Sequence, residues 1–245
     1  WHAAVNGRGR YFSALDPASL SDAISTMLSE ISKEAGSGAG AAASTLTPVS
    51  GDRWFFLPSY SNINGWHGDL RAFQFKINEN LTLEVPDTSD GKEQWSAAAR
   101  LDRRTTSRRI LFGNASRQLV DFTYANLQAA GYGSYFNIAC PAWLSQCSRL
   151  STAAAAKVTG DNLVKFLAGD TSLYLNTASA DNQVFRARAS RLGDFVNASP
   201  VYLSKPPFRY IDAGYAQFVT AQAQRRPMVY AVANDGMLHA FQVGE

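Results

Sequence analysis

Arg191-Leu-Gly-Asp-Phe-Val-Asn-Ala-Ser-Pro-Val-Tyr-Leu203 and Met228-Val-Tyr-Ala-Val-Ala-Asn-Asp-Gly-Met-Leu-His-Ala-Phe241 are the stretches that decide the fold. The second is a hydrophobic strand, a tight turn at Asn234-Asp235-Gly236, and another strand running toward Glu245. Two apolar runs around such a turn make a strong short-range hairpin signal. A hairpin placed there has no downstream partner in the sequence, which predicts an unpaired outer edge. The chain therefore reads as a piece of a longer polypeptide.

Working outward, 245 residues suffice for one large or two ordinary domains with a substantial core. With 46% hydrophobic, 12% aromatic and 18% charged residues the composition is globular. A net charge of +3 is too weak to argue for a nucleic-acid partner or an acidic membrane surface. The arginines cluster at Arg103-Arg104, Arg108-Arg109, Arg186/Arg188/Arg191 and Arg225-Arg226. No aromatic stacking platform accompanies them, so they read as solvated or salt-bridged surface. No window approaches the ~20 consecutive apolar residues of a membrane span. The sequence opens on Trp1-His2, without an initiator Met or a signal peptide.

Two cysteines, Cys140 and Cys147, lie in Cys-Pro-Ala-Trp-Leu-Ser-Gln-Cys. The pair lacks the four ligands of a structural zinc site and the two-residue spacing of a thioredoxin-type motif. A short-loop disulfide is the better reading and implies an oxidising compartment such as a periplasm or cell exterior. Two buried free thiols are the alternative.

Near the start, Arg10-Tyr-Phe-Ser-Ala14 reads as a strand and Asp16-Pro17 as the capped start of a helix. Leu20, Ile24, Leu28 and Ile31 give that helix an apolar stripe ending near Gly36. A Gly/Ala/Ser linker follows to Pro48. Strands are expected at Trp54–Leu57, Leu70–Ile77, Leu81–Val85, Trp95–Leu101 and Arg109–Phe112, with a turn at Asp87–Gly91. Residues from about 114 to 190 break this rhythm, and Asp121–Ala130 and Ser151–Leu167 carry helical spacing. The fold expected is mainly β, with a largely helical, disulfide-bearing insertion.

No catalytic, cofactor-binding or metal-ligating constellation is assembled. His2, His67 and His239 have no partner at metal-ligand spacing, and their expected roles are structural. Neither a nucleophile elbow nor a phosphate loop is present. Asp87-Thr-Ser-Asp-Gly-Lys-Glu93 lacks calcium-loop spacing and reads as a plain turn. Arg191 and Asp194, opposite charges around a glycine, read as an ion pair pinning a turn.

Taken together, Phe185-Arg-Ala-Arg188, Arg191–Tyr202 and Arg226–Phe241 resemble the signature of the PilC/PilY family, large secreted proteins of type IV pilus assembly at the pilus tip. Asn6–Leu20 resembles the last strand and helix of that family's von Willebrand A-like domain. Trp66-His-Gly-Asp-Leu-Arg-Ala-Phe73 and Trp95-Ser-Ala-Ala-Ala-Arg-Leu101 resemble the first strands of its C-terminal β-propeller. The resemblance implies three parts: residues 1–35 as a βα remnant of the von Willebrand A-like domain, 36–50 as linker, and 51–245 as the opening blades of the propeller, with the insertion at about 114–190. It also implies a non-enzymatic assembly factor and adhesin of the periplasm, outer membrane and cell surface. Minor pilins are its implied partners, together with a host-cell or surface ligand. Extension, retraction and twitching would be regulated, in some members through calcium. The family's calcium loop lies in later blades and its Asp-x-Ser-x-Ser metal site before Trp1, so neither maps onto this sequence.

Two other readings compete. The Asn234–Phe241 turn also resembles a blade repeat of quinone-dependent dehydrogenases, but the vicinal cysteine pair of some such enzymes is absent. A fragment this short also cannot enclose their cofactor. An extracellular ligand-binding propeller unrelated to pili is the third.

Overall fold

The apolar run starting at Trp54 becomes the spine of an antiparallel sheet. The computed structural model describes residues 42–43, 53–61, 66–77, 83–84, 86–137, 140–141, 143–145, 147–206 and 208–244. The expected strand at Arg10–Ala14, the helix after Asp16 and most of the Gly/Ala/Ser linker lie outside the described residues. The chain divides into two compact units, one running to Arg103 and resuming at Ser190, the other Arg104–Ala189.

In the first unit, β1 (Ala42–Ala43), β2 (Trp54–Ser61) and β3 (His67–Gln74) are followed by β4 (Lys76–Ile77), β5 (Leu83–Glu84) and β6 (Trp95–Ser96). The order β1-β2-β3-β6 forms a four-stranded sheet, while β4 and β5 make a separate ribbon. Register pairs Trp54 with Gln74, Phe56 with Ala72 and Pro58 with Leu70, which puts Trp54, Phe56, Leu70 and Ala72 on one face. Phe55, Leu57 and Phe73 fall on the other face and are equally buried. The sheet is apolar on both sides, and this explains the unbroken Trp-Phe-Phe-Leu run where alternation would mark a half-exposed strand.

Trp95–Leu101 departs from expectation. Only Trp95–Ser96 is strand, and α1 (Ala97–Arg103) follows at once. The Ser96 hydroxyl accepts from the Ala99 N–H, capping a run of three alanines that favours helix.

In the second unit β7 (Leu111–Gly113) and β8 (Leu119–Asp121) form a hairpin, so the strand expected at Arg109–Phe112 does not join the first sheet. Next come α2 (Tyr124–Ala129), α3 (Gly133–Phe136), α4 (Thr152–Ala155) and α5 (Gly160–Ala168). The single helix expected over Ser151–Leu167 is two, because Thr159 ends the connection and caps α5 by accepting from the Asn162 N–H. The left-handed Gly169, at φ 111°, closes α5.

Back in the first unit, β9 (Val201–Leu203), α6 (Tyr215–Ala221), β10 (Met228–Val232) and β11 (Leu238–Gln242) complete the chain. The hairpin read from sequence is the β10-β11 pair, and β9 flanks β10 to give the order β11-β10-β9. The Gly236 N–H donates to the Ala233 carbonyl at 3.1 Å, and Gly236 has φ 81°. This is a tight turn relieved by a left-handed glycine, which suits the twist of antiparallel strands. The inner face of this sheet packs against the four-stranded one. Ring centroids lie 5.6 Å apart for Phe56 and Tyr202, and 6.2 Å apart for Trp95 and Phe241. Leu192, Phe195, Val229, Ala231 and Val243 complete that core.

Candidate functional site

Two Gly-Asp pairs, Gly68-Asp69 and Gly193-Asp194, meet the Asn234-Asp235-Gly236 turn in one place. The Gly68 N–H donates to the Leu192 carbonyl at 3.3 Å, and the Asn234 N–H to the Asp194 carbonyl at 2.9 Å. The Asn234 side-chain amide donates to the Asp194 carboxylate at 2.7 Å. The Gly193 N–H donates to the Asp235 carboxylate at 3.3 Å. These approaches need bare backbone. A Cβ on Gly193 would stand 2.8 Å from the Cβ and Cγ of Asp235. One on Gly68 would collide with the Gly193 carbonyl oxygen and stand 2.7 Å from the Asp194 Cα. Leu192 and Phe195, on either side of Gly193-Asp194, are buried in the core and hold the segment in register.

Asp235 is the electrostatic centre of the junction. Its carboxylate accepts from the Met237 N–H at 3.0 Å and lies 2.9 Å from Nε2 of the buried His239. Burial opposes the carboxylate most strongly. The hydrogen bond and charge of His239, with the N–H groups of Met237 and Gly193, together outweigh burial and hold the carboxyl below its ordinary value.

Asp69 ties β3 to α1. Its carboxylate accepts from the Ser96 hydroxyl at 2.7 Å and from the Ala98 N–H at 2.9 Å, adding negative charge at the start of α1. Two residues on, Arg71 donates to the Thr88 carbonyl at 3.1 Å and pairs with Asp90 at 2.9 Å, anchoring the Asp87–Gly91 turn. In that turn Asp87 accepts from both the N–H and the hydroxyl of Ser89, and Glu93 accepts from the Gly91 N–H. The Arg100 guanidinium lies 4.6 Å from the Trp95 ring and donates to the Gln242 carbonyl, linking α1 to β11.

Of the residues singled out by sequence, Asp194, Asn234, Asp235 and Gly236 come together here. Arg191 sits beside them, its N–H donating to the Asp102 carboxylate at 2.9 Å and its guanidinium to the Leu101 carbonyl. Cys140 and Cys147 are elsewhere, in the second unit, and are joined as a disulfide. Sequence reasoning missed Asp69, Asp102 and the pairing of His239 with Asp235. The repeated dipeptide in His67-Gly-Asp-Leu70 and Leu192-Gly-Asp-Phe195 was the available signal for Asp69.

In the second unit Phe185-Arg-Ala-Arg188 grips α5. The Arg188 guanidinium lies 4.2 Å from the Phe166 ring and donates to the Phe166 carbonyl at 2.6 Å and the Tyr174 hydroxyl at 2.8 Å. Phe185 stacks on Phe166 at 4.7 Å. Arg108 donates to the Leu167 and Ala168 carbonyls at the end of α5. These arginines serve backbone carbonyls instead of forming a phosphate track. Among the described residues no group of three His, Cys, Asp or Glu side chains could hold a metal ion. No helix among them is long and apolar enough to cross a membrane.

The geometry defines a class: a mixed, mainly antiparallel β scaffold whose marked sequence motifs hold backbone segments together. Comparison with known proteins gives the family. The chain is 32% identical over 257 residues to the type IV pilus biogenesis factor PilY1 of Pseudomonas aeruginosa strain PAK, covering 98% of this chain and 20% of that protein. It is 29% identical over 263 residues to the protein of the same name from strain UCBPP-PA14. A PilY1 homolog of Xylella fastidiosa is 31% identical over 232 residues, 91% of this chain. The chain spans about a fifth of the length of the Pseudomonas relatives. No family model and no solved structure matches. Over the segment it spans, the chain belongs to the PilC/PilY family.

Proposed function

We propose that this segment is scaffold in a type IV pilus biogenesis factor, a non-enzymatic component of the pilus tip. The observation carrying this reading is similarity along nearly the whole chain to relatives named for pilus biogenesis. The chemistry of the junction supports it, since Asp69, Asp194 and Asp235 are all engaged by protein donors. In this reading the two face-packed sheets are opening blades of a propeller, residues 1–35 belong to a preceding von Willebrand A-like domain, and the second unit is a disulfide-bearing insertion. The intact protein acts at the outer membrane and cell surface, contacts minor pilins and a surface ligand, and takes any calcium outside this segment. The disulfide supports an oxidising compartment.

Deletion of the gene tests the function. Loss of surface pili and of twitching, restored by the intact gene but not by one lacking codons 53–244, is the expected result. Normal piliation and twitching in the deletion strain would refute it. Turnover of alcohols by the full-length protein reconstituted with pyrroloquinoline quinone and calcium would refute the non-enzymatic part.

A further inference from the structure

β9 and β10 are neighbours in one sheet and pair from Leu203 and Met228 onward, yet residues 204–227 lie between them. Antiparallel neighbours need only about two to five connecting residues, and a much longer connection ordinarily carries function. This one carries rings. Centroids lie 5.6 Å apart for Phe208 and Tyr210, 5.0 Å for Tyr210 and Tyr215, and 5.8 Å for Tyr215 and Phe218. Such rings normally close a core, but Phe208, Tyr210 and Phe218 are exposed and Ile211 is fully so. A contiguous apolar patch on a folded unit marks an interaction surface. The Arg225 guanidinium lies 5.8 Å from the Phe218 ring. It donates to the Ser204 carbonyl at 3.2 Å and to the Gln222 side chain at 2.9 Å, which ties the two ends of the connection together. In sequence Arg225-Arg226 stood without an aromatic platform, and the fold supplies one.

We infer that this connection docks a protein partner whose surface offers an apolar pocket edged by carboxylates. Charge selects the acidic partner. Lys205, Arg209, Arg225 and Arg226 stand within 204–227 against a single acid, Asp212, and Lys205, Arg209 and Arg226 are exposed. An aromatic, apolar centre with an arginine-rich margin is the anatomy of a protein interface, and opposite charge on the partner steers its approach. A nucleic acid fits poorly. The rings are tilted on one another by 37°, 71° and 42°, so they offer no set of parallel faces for bases, and Ile211 has no ring. A lipid surface also fits poorly, because Asp212 beside Ile211 and Gln217 beside Phe218 would be carried into it. A protein pocket can take Ile211 and Tyr210 while those polar neighbours stay at its rim. The inference stands on this connection alone and is independent of the pilus reading, which the deletion strain tests.

The test uses the full-length protein. Ile211→Cys should react with a maleimide as fast as Ser116→Cys, in the exposed β7-β8 turn. A phage-displayed library of random peptides is then panned on the parent protein. Enriched peptides should combine an aliphatic or aromatic residue with acidic neighbours. They should bind at least about tenfold more weakly to Ile211→Asp and to the double variant Arg209→Glu/Arg226→Glu. Because all three side chains are exposed, both variants fold as the parent does. Slow labelling at 211 that is equalised on denaturation would overturn the inference, since the protein's own chain would then cover the patch. Peptides without acidic residues, or peptides that bind parent and variants alike, would also overturn it. So would a dT oligonucleotide or a phosphatidylglycerol vesicle that binds the parent and is lost in the variants.

Discussion

Replacing Gly68 by alanine should destabilise the first unit even though alanine is ordinarily the better strand residue. Gly68 is buried in β3 and pairs with Tyr60, with no left-handed backbone to explain the glycine. On chain entropy alone Gly→Ala stabilises by about 0.4–1 kcal/mol. Against this, the new Cβ would meet the Gly193 carbonyl and the Asp194 Cα, which are backbone and cannot swing aside. Overpacking of this kind costs about 1–3 kcal/mol. Displacing residues 192–194 also weakens the Gly68–Leu192 hydrogen bond and those of Asn234 and Asp235, at about 1 kcal/mol each. The net expectation is a loss of about 3–5 kcal/mol, well outside the entropic gain. Urea unfolding followed by tryptophan fluorescence reads it, because Trp54 and Trp95 are buried in the adjoining core. Gly113→Ala is the control: Gly113 is also in a strand, with nothing within 4 Å of its Cβ position, and that variant should be neutral or slightly more stable. A Gly68→Ala protein as stable as the parent would refute the close-approach argument, and so would an equal loss in Gly113→Ala.

Three further outcomes follow from the same structure. Because the Asp235 carboxyl is held below its ordinary value, its contribution to stability is complete above the usual carboxylate range and is lost as pH falls through the folded value. Asp235→Asn should therefore flatten the stability profile below about pH 4, and an unchanged acid slope would contradict this. Arg188→Ala removes a cation–π contact and hydrogen bonds to Phe166 and Tyr174, and should destabilise the second unit by about 2–4 kcal/mol. Faster hydrogen exchange across α5 is the readout, and unchanged protection counts against it. The protein isolated from its native host and analysed without reductant should show Cys140 linked to Cys147, and replacing both with serine should cost about 2–3 kcal/mol. Two freely alkylatable thiols would refute that pairing.

How much of this was legible beforehand depended on whether the deciding interaction was local. The β10-β11 hairpin, the strand begun at Trp54, the part of β3 from Leu70 to Gln74 and the turn at Asp87–Gly91 were readable because strand periodicity and turn chemistry act over a few neighbouring residues, whereas His67–Asp69 joined β3 and Lys76–Ile77 left it. The helix at Ala97–Arg103 was missed although its cap, Ser96, was in plain view, because Trp95 suggested a strand and half of the capping comes from Asp69 on another element. Ser151–Leu167 looked like one helix because alanine and leucine outweighed Val158-Thr159, whose cap divides it.

The sequence by itself determined the family, the β10-β11 hairpin, the cysteine pair and a chain built on antiparallel strands with few helices, all of which rest on nearest-neighbour chemistry or on long, specific motifs. Only the tertiary structure decided what the motif residues are for. Gly68 and Gly193 are glycine because two backbones and a turn meet there, and Asp235 answers to Gly193, which lies far away along the chain. The run of rings from Phe208 to Phe218 likewise emerged only from the fold. Aromatic residues look the same in sequence whether they are buried or bare, and the difference lies in what packs against them.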